Sequence, residues 1–507
     1  MNKRVLSLVI VGVCCAALVG TLVVLLNLKP AEAPSSDPSS EAEPAIELIK
    51  KTYDADNNVV VFPVKTAEFT TSSETFKLVR NGEDGMIVEA YADLPVDSYS
   101  ADSLGEYLAD IKATKKVSDN SDNQADFGLD DPECKIDVVF YDDSEYHIEV
   151  GNKIPSANGR YLRLGGDGPI YIVENVMVDS FLQPSTTYIA TAMISPPAVD
   201  SSNTEQSAVM YSITMGGSSR EKPMSMRVYK DGDDFDMSNY SYIMTAPYLT
   251  GTASLSENAK VPMITSQTSL SALTAFLAHP STEDLKEYGL DNPFSTAEIC
   301  LAVMTAPAEA DTVVTYDGYV YYTIRLGNKD EDGNYYAMSD KLDIIFLVSP
   351  SSVVWADAEW DQLAPSMLFL IDITTISEAS VTVDGQTSRF ELTHIDGETN
   401  NEINMVVKAD GKTYSTPDFR RLYQVFMQAS RYGAAEGIPA GTPEVVINLK
   451  RVAGQRERTI EFYKQDASLY VCVVEGGEMF TVRASDVNFL KQQVKNYLEG
   501  VKVTTKI

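Results

Sequence analysis

The chain has 507 residues, 44% of them hydrophobic, too long for one ordinary core and too apolar for a disordered chain, so two to four globular units are expected. Its 40 Lys and Arg stand against 73 Asp and Glu, a formal charge of −33. That excess of acid excludes sequence-independent binding to DNA or RNA, which needs a basic face to displace counterions, and argues against adhesion of the bulk of the chain to an anionic membrane surface.

In chain order, the first feature is an uncharged stretch from Val5 to Leu28. At about 1.5 Å per residue it exceeds a hydrocarbon layer of about 30 Å, so a single transmembrane helix is expected there. Lys3 and Arg4 precede it and no acid does, which leaves the N-terminus in the cytoplasm and sends everything after Lys29 outside. A cleaved signal peptide is the minor alternative, because the apolar region is long and Ala31-Glu32-Ala33 is followed by Pro34. Cys14-Cys15 lies mid-span, where cysteine behaves as a small apolar residue. Residues 1–29 form the cytoplasmic tip and anchor, and the remainder carries 37 basic against 73 acidic residues.

Residues 30–45 turn to Pro, Ser, Ala and Glu and form a stalk. Folded sequence then repeats itself, with expected units at 46–190, 191–365 and 366–507. Phe127-Gly128-Leu129-Asp130-Asp131-Pro132 recurs as Tyr288-Gly289-Leu290-Asp291-Asn292-Pro293, and Gly151-Asn152-Lys153 recurs as Gly327-Asn328-Lys329. An aromatic before Gly allows a tight turn at positive φ, Leu tucks into the core, and Asp-x-Pro closes a second turn before a strand. Pro132 and Gly151 are 19 residues apart and Pro293 and Gly327 are 34 apart, an insertion expected at a hairpin tip near Ala306 to Thr312.

A helix is expected before each block: over Leu104, Tyr107, Leu108 and Ile111; more sparsely over Leu270, Leu273 and Leu277; and over Phe419, Leu422, Tyr423 and Phe426 behind Thr416-Pro417-Asp418. The last announces a degenerate third unit, whose Thr442-Pro443 leads into Val445-Val446-Ile447 without the Gly-Leu-Asp and Gly-Asn-Lys signatures. A closing helix is expected over Val487, Leu490, Val494 and Tyr497. Short strands around one helix per unit indicate an α+β class, each unit a mainly antiparallel sheet with a covering helix. With 27 tyrosines, a tyrosine stripe is read as cross-strand packing before it is read as a carbohydrate platform.

These features resemble the bacterial domain of unknown function 4340 family: the Y-G-L-D-x-P block, the L-G-N-K block, and their repetition behind one N-terminal span. The resemblance covers most of residues 46–360 and implies an extracytoplasmic envelope protein, in a family often encoded beside ABC-type export or gliding-motility transporter components. It carries over no catalytic residue.

The candidate reactive side chains are expected in structural roles. His147, His279 and His394 occur one per region without metal-ligand spacing, and His279 is expected at a helix C-terminus facing the dipole. Cys134, Cys300 and Cys472 are too far apart for a disulfide framework and are expected as buried thiols. Ser219-Arg220-Glu221-Lys222 has S-x-x-K spacing, and S-D-N occurs at Ser118 and Ser121, but the order is reversed from that of penicillin-recognising enzymes and K-T-G is missing. Asn328, Asp330 and Asp332 before Gly333 reproduce the first half of an EF-hand loop; the twelfth position is Ser339, so a polar hairpin tip is preferred and weak Ca²⁺ binding is the alternative.

The resulting expectation is a non-enzymatic single-pass protein that meets the lipid bilayer through residues 5–28 and has no cofactor. Its expected role is a scaffold or accessory subunit of an ABC-type transporter or envelope assembly. The alternative is a cell-surface module binding wall polymer, protein or Ca²⁺, and a hydrolase is the outsider.

Overall fold

The protein was analysed as a computed structural model, which describes residues 45–506 apart from 52–62, 83–84, 120–122, 155–157, 231–239, 256, 307–313, 368–370, 396–403, 453–456 and 476–477. The expected membrane anchor, nearly all of the stalk and the insertion at 307–312 lie outside those residues. Among the described residues no helix is long and apolar enough to cross a membrane.

The Cα framework divides into two compact units. One comprises the described residues up to Arg80 together with Asp102–Gln183; the other comprises Asn81–Ala101 and everything from Pro184 onward. The first holds one large antiparallel sheet and the second holds two, with few helices, which is the α+β class expected.

One strand order serves all three sheets. In the third, the chain runs outward through Ile376–Val383, Gln386–His394, Met405–Ala409 and Lys412–Tyr414, then passes through the helix Thr416–Met427 to the opposite edge strand, Arg431–Ala434. It returns through Glu478–Arg483, Leu469–Val474 and Arg458–Lys464 in spatial order, so that Val445–Arg451 lies beside Ile376–Val383. The second sheet follows the same path, from Gln206–Gly216 outward to Thr250–Gly251, through the helix Lys260–Thr265 to the edge strand Thr274–Ala278, and back with Ser295–Thr305 beside the starting strand. In the first, Val64–Thr71 and Thr75–Arg80 run outward, Asp110–Ser118 lies toward the far edge and Cys134–Phe140 lies beside Val64–Thr71.

Each copy also has a lead-in segment that pairs antiparallel near the far edge, joining the large sheet in the first, forming a two-stranded sheet of its own in the second and making one bridge in the third. Ile46–Lys50 pairs with Asp110–Ser118, Ala192–Ile194 with Leu270–Ser271, and Met367 forms a bridge to Ser430. An open strand edge is a template for unwanted pairing, and a lead-in strand covers part of it from within the same chain.

The helix over Thr416–Met427 forms where the 3.6-residue spacing places it. Ser415 caps it by accepting from the Asp418 amide, Pro417 sits in the first turn, and Phe419, Leu422, Tyr423 and Phe426 are buried in a core shared with Val487, Leu490 and Val494 of the closing helix Ala484–Leu498. The first helix, Ser98–Ala109, buries Leu104 and Leu108 but ends before Ile111, which is a strand residue. The helix expected over Leu270, Leu273 and Leu277 is absent: Leu270–Ser271 and Thr274–Ala278 are strands, and the Leu273 amide donates to the Leu347 carbonyl at 2.8 Å. A register irregularity between Ala275 and Leu277 breaks the period of two, so the leucines acquire helix-like spacing on an edge strand. The helix at this place in the fold is Lys260–Thr265, with Val261 and Ile264 buried.

Candidate functional site

The two repeated blocks form one interlocked module in each copy. Gly128 and Gly289 adopt φ of 68° and 72°, and a Cβ on either would collide with the side chain of Asn152 or Asn328 respectively. A Cβ on Gly151 or Gly327 would strike the carbonyl of Phe127 or Tyr288. In the second copy the Asn328 amide donates to the Tyr288 carbonyl at 2.8 Å and Asn328 Nδ2 donates to Glu287 O at 3.0 Å. Leu129 and Leu290 are buried as expected, and the aromatic before each glycine packs on a tyrosine of the neighbouring strands, Phe127 on Tyr161 and Tyr288 on Tyr336.

Sequence reasoning missed the arginine that completes each module. Arg163 Nη2 donates to Leu129 O and Arg325 Nη1 to Leu290 O, although the two arginines stand on different strands of their meanders. In the first copy Arg163 is paired with Glu149; in the second, Arg325 reaches the sulfur of Met338. The common destination, a carbonyl inside the turn, was hidden because the residue supplying the charge had changed strand.

The calcium candidates are divided between two tasks. Asn328 is turned toward the Tyr288-Gly289 segment, while both carboxylate oxygens of Asp330 accept from Asn334, from its amide at 2.8 Å and from Nδ2 at 3.1 Å. Asp332 and Gly333 complete the tip, where the Gly333 amide donates to Asp330 O. Asn334 lowers the Asp330 carboxyl from its ordinary value, chiefly through its side-chain hydrogen bond. Among the described residues no group of three or more His, Cys, Asp or Glu is placed to hold a metal ion.

The other reactive side chains are dispersed. His147 Nδ1 pairs with Asp137 on an exposed strand face. His394 Nε2 contacts Ile376 O at 2.7 Å. His279 is not at a helix C-terminus: it follows an edge strand at φ 51°, between Asp343 at 3.2 Å and Asp93 at 3.5 Å. Its position follows from the strand that replaced the expected helix. Cys134, Cys300 and Cys472 are buried, and burial pushes the Cys134 thiol up to about 12.

Arg220, inside the S-x-x-K coincidence, is a structural clamp. Its guanidinium donates to the carbonyls of Trp355, Ala356 and Ala358 at 2.7–3.2 Å, and to Gly216 O and Ser295 Oγ. It thereby ties the turn around buried Trp355 to the second sheet.

The solvent-side face of the second sheet carries a tyrosine cluster. Tyr211 and Tyr319 sit at register irregularities on the two strands that flank Ser295–Thr305, opposite Cys300 to Ala302. Their ring centroids are 5.0 Å apart, Tyr316 lies 5.4 Å from Tyr211, and Lys230 Nζ stands 4.8 Å over the Tyr211 ring. Tyr319 is 42% exposed and Tyr321 63%.

Against known proteins, a family model described as domain of unknown function (DUF4340) matches residues 88–237. Over that span the chain is similar to the DUF4340 family. The match takes in the first Gly-Leu-Asp and Gly-Asn-Lys blocks and stops before the second pair. It begins ahead of the helix Ser98–Ala109 and ends beyond the strand Met224–Val228, so the DUF4340 span is offset from the sheets by which the fold repeats. No curated protein and no solved structure matches the chain.

Proposed function

We propose that the chain is a membrane-anchored, extracytoplasmic, non-enzymatic protein that serves as a scaffold or accessory subunit of an ABC-type transporter or envelope assembly, its three sheets being copies of one ancestral unit. The observation that carries this reading is the use of one strand order three times, each with its lead-in segment near the far edge. Such repetition multiplies sheet surface without building a shared reaction centre. The dispersal of the histidines and the burial of the cysteines fit the same reading.

The anchor is expected to do more than tether. Exchange of residues 5–28 for an unrelated apolar span keeps the chain at the membrane and, on this reading, abolishes its co-purification with a multispanning permease. Undiminished co-purification after the exchange would contradict a role for the anchor in assembly. The tyrosine face of the second sheet favours the second reading, a surface module that binds wall polymer.

A further inference from the structure

We propose that the outer face of the second sheet, at Tyr211, Tyr319 and Tyr321, is a binding platform for a neutral polysaccharide strand. Cross-strand packing is the plain alternative, and the other two sheets supply an internal control. At the corresponding strands the outer face of the first sheet carries Lys135, Asp137, His147 and Glu149, paired across strands. The third carries Glu378, Ser380, Asn448 and Thr459, with one lone tyrosine, Tyr463, whose hydroxyl donates to Glu461 on the same strand. Charged and hydroxylic ladders therefore suffice for this fold, and the second sheet departs from them at one place.

The departure is built into the backbone. Bulged strands on both sides of Cys300–Ala302 re-aim Tyr211 and Tyr319 toward one another, and bulges characteristically redirect side chains in this way. The floor beneath, Cys300 and Ala302, is already closed, with Cys300 5% exposed, yet Tyr321 directly across from Cys300 remains 63% exposed. Aromatic surface is thus presented to solvent beyond what covering the floor requires.

The chemistry selects the occupant. Ring faces bounded by phenol hydroxyls match a ligand with apolar C–H faces and hydroxyl edges, which is a sugar ring. Tyr316 to Tyr321 extends over roughly 15 Å of strand, suited to an extended chain of such rings. A polyanionic polymer is disfavoured by the net charge of −33.

The test is co-sedimentation of the detergent-solubilised full-length protein with insoluble chitin, with cellulose, and with sacculi freed of anionic polymers. Retention on at least one is expected, weakened about tenfold or more by Tyr319→Ala/Tyr321→Ala. Tyr463→Ala, on the equivalent face of the third sheet, should leave it unchanged. Thermal melting checks that the double variant is folded; if it is not, Tyr321→Ser is read in its place. Retention on none of the three polymers, or retention indifferent to the tyrosine changes, would overturn the proposal. The result is independent of the transporter reading, since no membrane partner is present.

Discussion

Gly327 is held to its identity by backbone, since the nearest atoms to an added Cβ are the Tyr288 carbonyl and Gly289, neither of which can swing aside. Gly327→Ala should therefore cost about 3 kcal/mol or more by urea denaturation, whereas Gly437→Ala, with nothing within 4 Å, should fall within about 0.5 kcal/mol of the parent. Arg220→Lys should also destabilise, by about 2–4 kcal/mol, because one ammonium cannot reproduce the planar fork that serves Trp355, Ala356 and Ala358 together. A melting temperature equal to that of the parent would refute the clamp. Glu257 gives a pH signature. Partial burial pushes its carboxyl up, but hydrogen bonds from Ser366 and Ser254 outweigh this and hold it at about 2 against an ordinary 4.5. A depressed folded-state value means that its contribution to stability is complete above about pH 4.5 and is lost as the pH falls toward 2. Glu257→Gln should flatten the acid limb of the stability profile over that window, and an unaltered limb would contradict the assignment. These side chains were not legible as partners in the sequence, because Ser366 stands 109 positions from Glu257 and Trp355 stands 135 from Arg220.

Elements were legible where one local period governed them. The helix over Phe419 to Phe426 and the closing helix over Val487 to Tyr497 bury the apolar stripes their spacing implied. The turn blocks were legible because glycine at positive φ and a following buried leucine leave a fixed imprint. The Leu270 to Leu277 segment was misread because a bulged edge strand mimics a sparse heptad; Leu273, which a helix core would bury, is 59% exposed. The shared strand order was not legible at all, since it depends on pairings such as Val445 with Val383 and Gln206 with Thr305 that no local pattern encodes. The lead-in strands make a prediction at this scale. Removal of residues 46–50 should speed hydrogen exchange in Asp110–Ser118 and promote self-association, as an uncovered edge does. Unchanged protection would show that Ile46–Lys50 is dispensable to that edge.

Across the whole molecule, the threefold strand order gives a protein rich in sheet surface, and the proposed reading of the acid excess and of the uncharged stretch at Val5 to Leu28 sets that surface outside a membrane. The location makes its own prediction: protease added to intact cells should digest the chain beyond the stalk while a short N-terminal tag stays protected. Loss of the tag together with the folded part would reverse the orientation. The accessory-subunit reading is met most directly by affinity purification of the tagged full-length protein from its native membranes in mild detergent, with the recovered partners identified by mass spectrometry. The account predicts a multispanning permease and its ATPase in stoichiometric yield. Recovery of the protein alone, or with wall polymer only, would contradict it.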